Sequence, residues 1–227
     1  MKLTVKKIAT LAMLAAIAYV IMVFIRIPFM PAAPYLEYDA KDVFFVIAGF
    51  LIGPIEGLVV VILVCLIEMV TVSTSGPIGL LMNVIASLCF VIPAAAIYKA
   101  KKSTVTAVIG LLTGVFCMTG SMILWNYLVT PLYTGTPREV IVGMLPTIFL
   151  PFNLIKAGIN MALTLMIYKP ISIILHKSGL LETKKDAEES EVKEAKKFSF
   201  IPIIIGIAIL GACIGMIILF KVNAVPA

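Results

Sequence analysis

Charge is scarce in this chain. Of its 227 residues only 13% are Asp, Glu, Lys or Arg, against 62% that are hydrophobic. A soluble domain carries about 25% charged residues, so an ordinary water-soluble globule is excluded, and so is a disordered segment. Cysteine is also sparse: Cys65, Cys89, Cys117 and Cys213 each sit inside an apolar run, with no CxxC spacing. They read as small core residues and not as disulfide or metal ligands. A single histidine, His176, rules out a histidine metal centre and reads as a helix-terminal group. No GxxxxGK[ST] occurs, nor even a Gly-Lys pair, so the chain has no P-loop for ATP. GxSxG, HExxH and paired carboxylates within apolar runs are missing too, which leaves hydrolase and proton-relay chemistry without residues. No catalytic residue, metal site or cofactor is expected. The two halves of the chain do not resemble each other, which weighs against a transporter built from inverted repeats.

What remains is a series of long apolar runs, the signature of an all-α polytopic membrane protein. The runs predict helices at 8–25, 42–52, 55–70, 78–98, 105–129, 149 to about 167 with an extension towards His176, and 201–220. The first is an 18-residue run without a charge, apolar apart from Thr10, longer than a signal-peptide core of roughly 7–15. Pro93 predicts a kink in the fourth. Two long polar connectors stand out, 26–41 (rich in Pro and ending in Leu36-Glu37-Tyr38-Asp39) and 130–147. Residues 178–199 form a charged linker with five Lys and six Asp or Glu. The expected organisation is a six-helix core over 1–177, this linker, and one further helix within 200–227.

The net charge of +6 is distributed in a telling way. Thirteen of the 18 Lys and Arg residues lie in three groups, near Lys2, near Lys99 and from Lys169 to Lys197, each flanking an apolar run. This is the positive-inside pattern of a bilayer protein and not a nucleic-acid patch. With the first group cytoplasmic, alternation places all three inside, and the connectors 26–41, 71–77 and 130–147 all face outward.

Polar side chains in apolar helices are costly and therefore mark candidate sites. In the sixth helix Asn153, Lys156, Asn160 and Thr164 follow at i, i+3, i+7 and i+11, one stripe of a helix that starts at the outer face. A snorkelling lysine beside capping asparagines is the alternative reading. Gly76, Gly79, Asn83 and Ser87 repeat the arrangement in the fourth helix, and Asn126 and Thr130 lie at the outer end of the fifth. Asn83 and Asn126 also suit interhelical packing bonds. Glu68 reads as an interfacial anion. The acidic stretch Glu37, Asp39 and Asp42 is placed to meet Lys156 or Arg138, or to remain a solvated loop. Together with Tyr35, Tyr38, Trp125, Tyr127 and Phe152 these groups suit a flat, partly apolar molecule with a hydrogen-bonding edge. In the first helix Ala9, Ala12 and Ala16 form a small-residue face that a partner helix could approach, and Gly211 and Gly215 form a weaker GxxxG step.

Five stretches, Leu36-Glu37-Tyr38-Asp39-Ala40-Lys41-Asp42, Ser73-Thr74-Ser75-Gly76-Pro77-Ile78-Gly79, Asn126-Tyr127-Leu128-Val129-Thr130-Pro131-Leu132-Tyr133, Pro137-Arg138-Glu139 and Pro151-Phe152-Asn153-Leu154-Ile155-Lys156, carry a resemblance. In order and spacing the chain resembles the riboflavin-specific S components of energy-coupling factor (ECF) vitamin transporters, from Met1 to about Lys177. The resemblance implies a six-helix fold that captures riboflavin, as transported ligand, at the external face. Its contacts would be Leu36, Glu37, Tyr38, Asp39, Gly76, Pro77, Asn83, Asn126, Asn153 and Lys156. It further implies docking, through Ala9, Ala12 and Ala16, onto a transmembrane coupling (T) subunit that carries two ATPase subunits. A cell-membrane location with a cytoplasmic N-terminus follows, and no enzyme activity. The seventh helix departs from the six-helix pattern. An S component for another vitamin, of thiamine or biotin type, is the nearest alternative; a membrane enzyme or a structural membrane protein would be of a different class.

Overall fold

In the computed structural model of the chain, residues 4–31, 33, 35–73, 75–181 and 200–223 are described. The charged linker expected at 178–199 lies outside them from residue 182 onward. The order of elements is α1 (Val5–Phe24), β1 (Ile27–Pro28), β2 (Glu37–Tyr38), α2 (Lys41–Leu51), α3 (Pro54–Thr71), α4 (Gly76–Ala100), α5 (Thr104–Leu128), α6 (Thr130–Thr134), α7 (Arg138–Met144), a π-helical turn (Leu145–Phe149), α8 (Leu150–Lys177) and α9 (Ile201–Asn223).

All seven predicted helices are present, within a few residues of the expected ends. Six are long and apolar enough to cross a bilayer, if α7, the π turn and α8 count as one continuous run. The exception is α2. At 11 residues it rises roughly 16 Å, about half of a hydrocarbon core. It is enclosed instead: Lys41 through Phe50 are all buried, ringed by α1, α3, α4 and α8. Beyond the opening Lys41 and Asp42 the helix carries no polar side chain, and such an apolar helix belongs in a central position.

Local chemistry sets the helix ends. Thr4 caps α1 by accepting from the Lys7 amide, and Ser103 opens α5 in a capping box with Thr106. Pro sits in the first turns of α3, α4, α6 and α8, where its missing N–H costs nothing. Pro93 and Pro170 lie inside α4 and α8, which continue past them. The helices α4 and α5 pack along each other and meet through glycine. A methyl group at Gly110 would lie 2.7 Å from the Ala94 carbonyl oxygen, so only Gly permits that approach.

The expected outer loop 130–147 is a correction. It is largely helical, in α6, α7 and the π turn, with Gly135 ending α6 in the left-handed region at φ 69°. The connector 26–40, also expected to face outward, is not a solvated loop either. Ile27 pairs with Tyr38 and Pro28 with Glu37 in a short antiparallel ribbon, and Phe29, Met30 and Ala33 are buried in the bundle. The ribbon turns Tyr38 and Asp39 inward.

Candidate functional site

Three elements deliver charge to the interior beneath the 26–40 connector. The ribbon brings Asp39, the first residues of α2 bring Lys41 and Asp42, and the polar stripe of α8 brings Lys156 and Asn160. Lys156 Nζ donates to Asp39 Oδ2 at 2.9 Å, and Lys41 Nζ stands 3.5 Å from the same oxygen. Lys41 Nζ donates to Glu68 Oε2 at 2.8 Å, and Arg26 reaches Glu68 Oε1 at 3.4 Å and Glu37 Oε2 at 3.6 Å. A second chain of bonds runs beside the first. Ser87 Oγ donates to Asp42 Oδ1 at 2.5 Å, Asn160 Nδ2 donates to Asp42 Oδ2 at 3.1 Å, and the Tyr38 hydroxyl donates to Asn160 Oδ1 at 3.0 Å. Thr164 continues the stripe inward by donating to the Asn160 carbonyl at 2.7 Å.

Lys41 is 1% exposed and Lys156 8%, so these charges are tolerable only because each has a partner. Burial alone would raise the Asp39 pKa, but Lys156 and Lys41 outweigh it and hold the carboxyl well below the usual carboxylate range. Burial, then Asp39, Asp42 and Cys213, all push the Tyr38 hydroxyl up, which keeps it a donor to Asn160.

On α5, Asn126 is buried. Its amide donates to the Met122 carbonyl at 2.7 Å, and its Oδ1 accepts from Thr130 at 2.9 Å. Asn153 on α8 is bonded the same way, its amide donating to the Phe149 carbonyl at 2.8 Å. Two buried polar atoms lack a partner among the described residues, Thr119 Oγ1 and Trp125 Nε1, and both lie on α5 within two turns of Asn126. A cleft of about 320 Å³ is lined by Thr130 with Tyr35, Tyr133, Thr134, Thr136, Ile141 and Met144. Phe29 of the connector stacks on Phe152 of α8 at 5.0 Å.

The structure therefore brings four of the ten predicted contacts into two bonded chains: Asp39 and Lys156 in the first, with Glu37 joined to it through Arg26, and Tyr38 in the second. The expected meeting of the acidic stretch with Lys156 is found, whereas Arg138 instead lies over the Tyr127 ring at 5.2 Å. Leu36 is half-buried against the core, and Glu37 is exposed and pairs with Arg26. Gly76, Pro77 and Asn83 line the first two turns of α4; among the described residues, Asn83 makes no hydrogen bond to the network. Asn126 and Asn153 are inward but fold back on their own helices. Ala9, Ala12 and Ala16 are exposed on α1. Glu68 is corrected from an interfacial anion to the buried partner of Lys41. Sequence reasoning missed Lys41 altogether, and it did not carry Asp42, Ser87 or Asn160 into the site. A usable signal was the Lys-Asp pair that opens an otherwise apolar helix. Such a pair cannot be left unpartnered there.

No group of three or more His, Cys, Asp or Glu residues that could hold a metal ion occurs among the described residues.

Comparison with known proteins agrees with this geometry. The family described as ECF transporter, substrate-specific component, matches residues 6–168. The riboflavin transporter RibU of Staphylococcus aureus (strain TCH60) is 33% identical over 182 residues, covering 75% of this chain and 92% of that protein. The riboflavin transporter FmnP of Bacillus subtilis (strain 168) is 32% identical over 166 residues, 67% of this chain and 84% of that one. A solved structure of the S component of a bacterial ECF transporter superposes with a TM-score of 0.63 at 33% identity, covering 75% of this chain and 97% of the other. A multi-pass bundle that buries a set of paired charged and polar groups, and which matches that family over 6–168, is a substrate-binding transporter subunit and not an enzyme: the chain belongs to the substrate-specific components of ECF transporters.

Proposed function

We propose that the protein captures riboflavin at the external face of the cell membrane and hands it to a separate ATP-hydrolysing module. The observation that carries this reading is the pair of buried bonds Lys156–Asp39 and Tyr38–Asn160, together with the tyrosine- and threonine-lined cleft whose Tyr35 belongs to the same connector as Tyr38 and Asp39. Two relatives at about one-third identity that are named riboflavin transporters support the choice of ligand. The chemistry fits as well. The flavin tricycle is flat and apolar, its imide edge both donates and accepts, and its ribityl tail carries hydroxyls. Leu36 to Asp39, Gly76, Pro77, Asn83, Asn126, Asn153 and Lys156 are the candidate contacts. Lys156 and the asparagine amides are suited to the imide edge, and the connector to the tail. The partnerless Thr119 and Trp125 groups of α5 support the same side of the bundle, because a buried unmet donor costs about 1–3 kcal/mol.

Having no nucleotide-binding loop, the chain takes its energy from partners: a T subunit and two ATPase subunits, docked through the exposed Ala9, Ala12 and Ala16 of α1. The basic groups put the N-terminus in the cytoplasm. Purifying the protein and identifying the small molecule it retains is the direct test. Stoichiometric flavin and quenching of riboflavin fluorescence are expected; a different retained vitamin, or none together with no quenching, would reject the assignment.

A further inference from the structure

The relatives and the solved S component account for 75% of this chain at most, and the family match ends at residue 168. Helix α9 lies beyond that, yet it does not stand apart from the bundle. It packs along α8, the helix that carries Asn153, Lys156 and Asn160. Two glycines make the seam. A methyl group at Gly206 of α9 would lie 2.7 Å from the Met166 Cγ and 2.8 Å from the Ala162 carbonyl oxygen. A methyl group at Gly158 of α8 would lie 2.9 Å from the Cys213 Sγ of α9. Gly158 falls between Lys156 and Asn160 in sequence. At 100° per residue it points away from both, so α9 braces the back of the helix whose front bears the polar stripe.

The consequence appears in burial. From Phe152 to Leu165, every residue of α8 except Leu154 and Leu163 is buried, on the back as well as on the front. A peripheral membrane helix exposes its outer side to lipid; α9 has made α8 an interior one. Cys213 is itself only 4% exposed.

We infer that α9 is a built-in back-plate of the ligand site, a positioning helix whose seat on α8 through Gly158–Cys213 and Gly206–Ala162 fixes the depth and rotation of Lys156 and Asn160, and so sets affinity. The inference rests on the riboflavin reading given above. It makes Gly158, Gly206 and Cys213 positioning residues, not ligand contacts. A site left about 1 Å loose by its support loses binding even with every contact residue present.

The test uses the full chain in four forms: wild type, Gly206→Leu, Gly158→Ala and the double variant Gly158→Ala with Cys213→Ala, with riboflavin affinity read by fluorescence quenching. Gly206→Leu drives a side chain into a backbone carbonyl and should unseat α9, weakening riboflavin binding by about tenfold or more. Gly158→Ala should weaken it less, and removing the opposing sulfur in the double variant should restore it. That rescue distinguishes a seam effect from damage within α8, and it remains readable if Gly206→Leu fails to fold. Wild-type affinity in both single variants would overturn the inference, as would a Gly158→Ala defect that persists without the Cys213 sulfur. A wild-type protein that binds no riboflavin would reject the ligand reading instead, and the two failures are separate.

Discussion

Lys156 Nζ lies 2.9 Å from Asp39 Oδ2, although 117 residues separate the two in sequence. The pair ties the 26–40 connector to the polar stripe of α8 and gives the buried Asp39 carboxylate its nearest cation. Lys41, 3.5 Å away, shares the carboxylate and is in turn neutralised by Glu68.

Removing Lys156 should therefore cost more than a ligand contact. Lys156→Ala leaves Asp39 with one distant cation, and losing one partner of a buried pair costs about 3–5 kcal/mol. Lys156→Ala should reduce both riboflavin retention and the thermal midpoint, with membrane insertion unchanged. Asn153→Ala should reduce retention while shifting the midpoint little, because among the described residues its amide donates only one turn back, to the Phe149 carbonyl of the preceding π turn. Unchanged retention in both variants would remove these residues from the site.

The pH dependence of stability has a definite sign. The folded Asp39 pKa is held below its free value of about 3.9, so its stabilising contribution is complete above that value and disappears as pH falls through the lower folded one. The difference in unfolding free energy between wild type and Asp39→Asn should stay constant from pH 8 to about pH 5 and shrink only under more acid conditions. A difference that grows on acidification would contradict the pairing.

Asn160 should be intolerant of a second carboxylate. Its amide donates to Asp42 while its oxygen accepts from Tyr38, so Asn160→Ala strips one bond from each neighbour, about 1–3 kcal/mol for a buried group left unmet. Asn160→Asp instead sets a carboxylate about 3 Å from Asp42 and should destabilise more than Ala does, as thermal unfolding in detergent would show.

Ala16→Trp should separate capture from delivery. Ala16 is exposed on α1, away from the network, so the bulky ring should leave riboflavin quenching intact while lowering uptake or co-purification with the coupling subunits. Normal uptake would place the docking face elsewhere.

Hydropathy is a local property, and what depends on it could be read from the chain directly: the membrane class, all seven helices, the Asn153–Lys156–Asn160–Thr164 stripe and the small-residue face of α1. The five matched stretches added the family. What failed to show were partnerships. Glu68 reads as interfacial because a lone carboxylate near a helix end usually is; only the fold brings Lys41, 27 residues earlier, to within 2.8 Å of it. The 130–147 connector reads as a loop from its Gly, Pro and Thr content, yet packing against α5 makes it helical.

Sequence alone thus determined which segments enter the bilayer and which residues there are too polar to be left unpartnered, since transfer free energy is summed along the chain. Tertiary structure decided who meets whom. The enclosure of the short α2 at the centre, the seat of Asp42 between Ser87 and Asn160, and the clamping of α8 by α9 all arise from contacts between distant segments. In a medium without water a buried charge has no other partner to choose, so those contacts define the site.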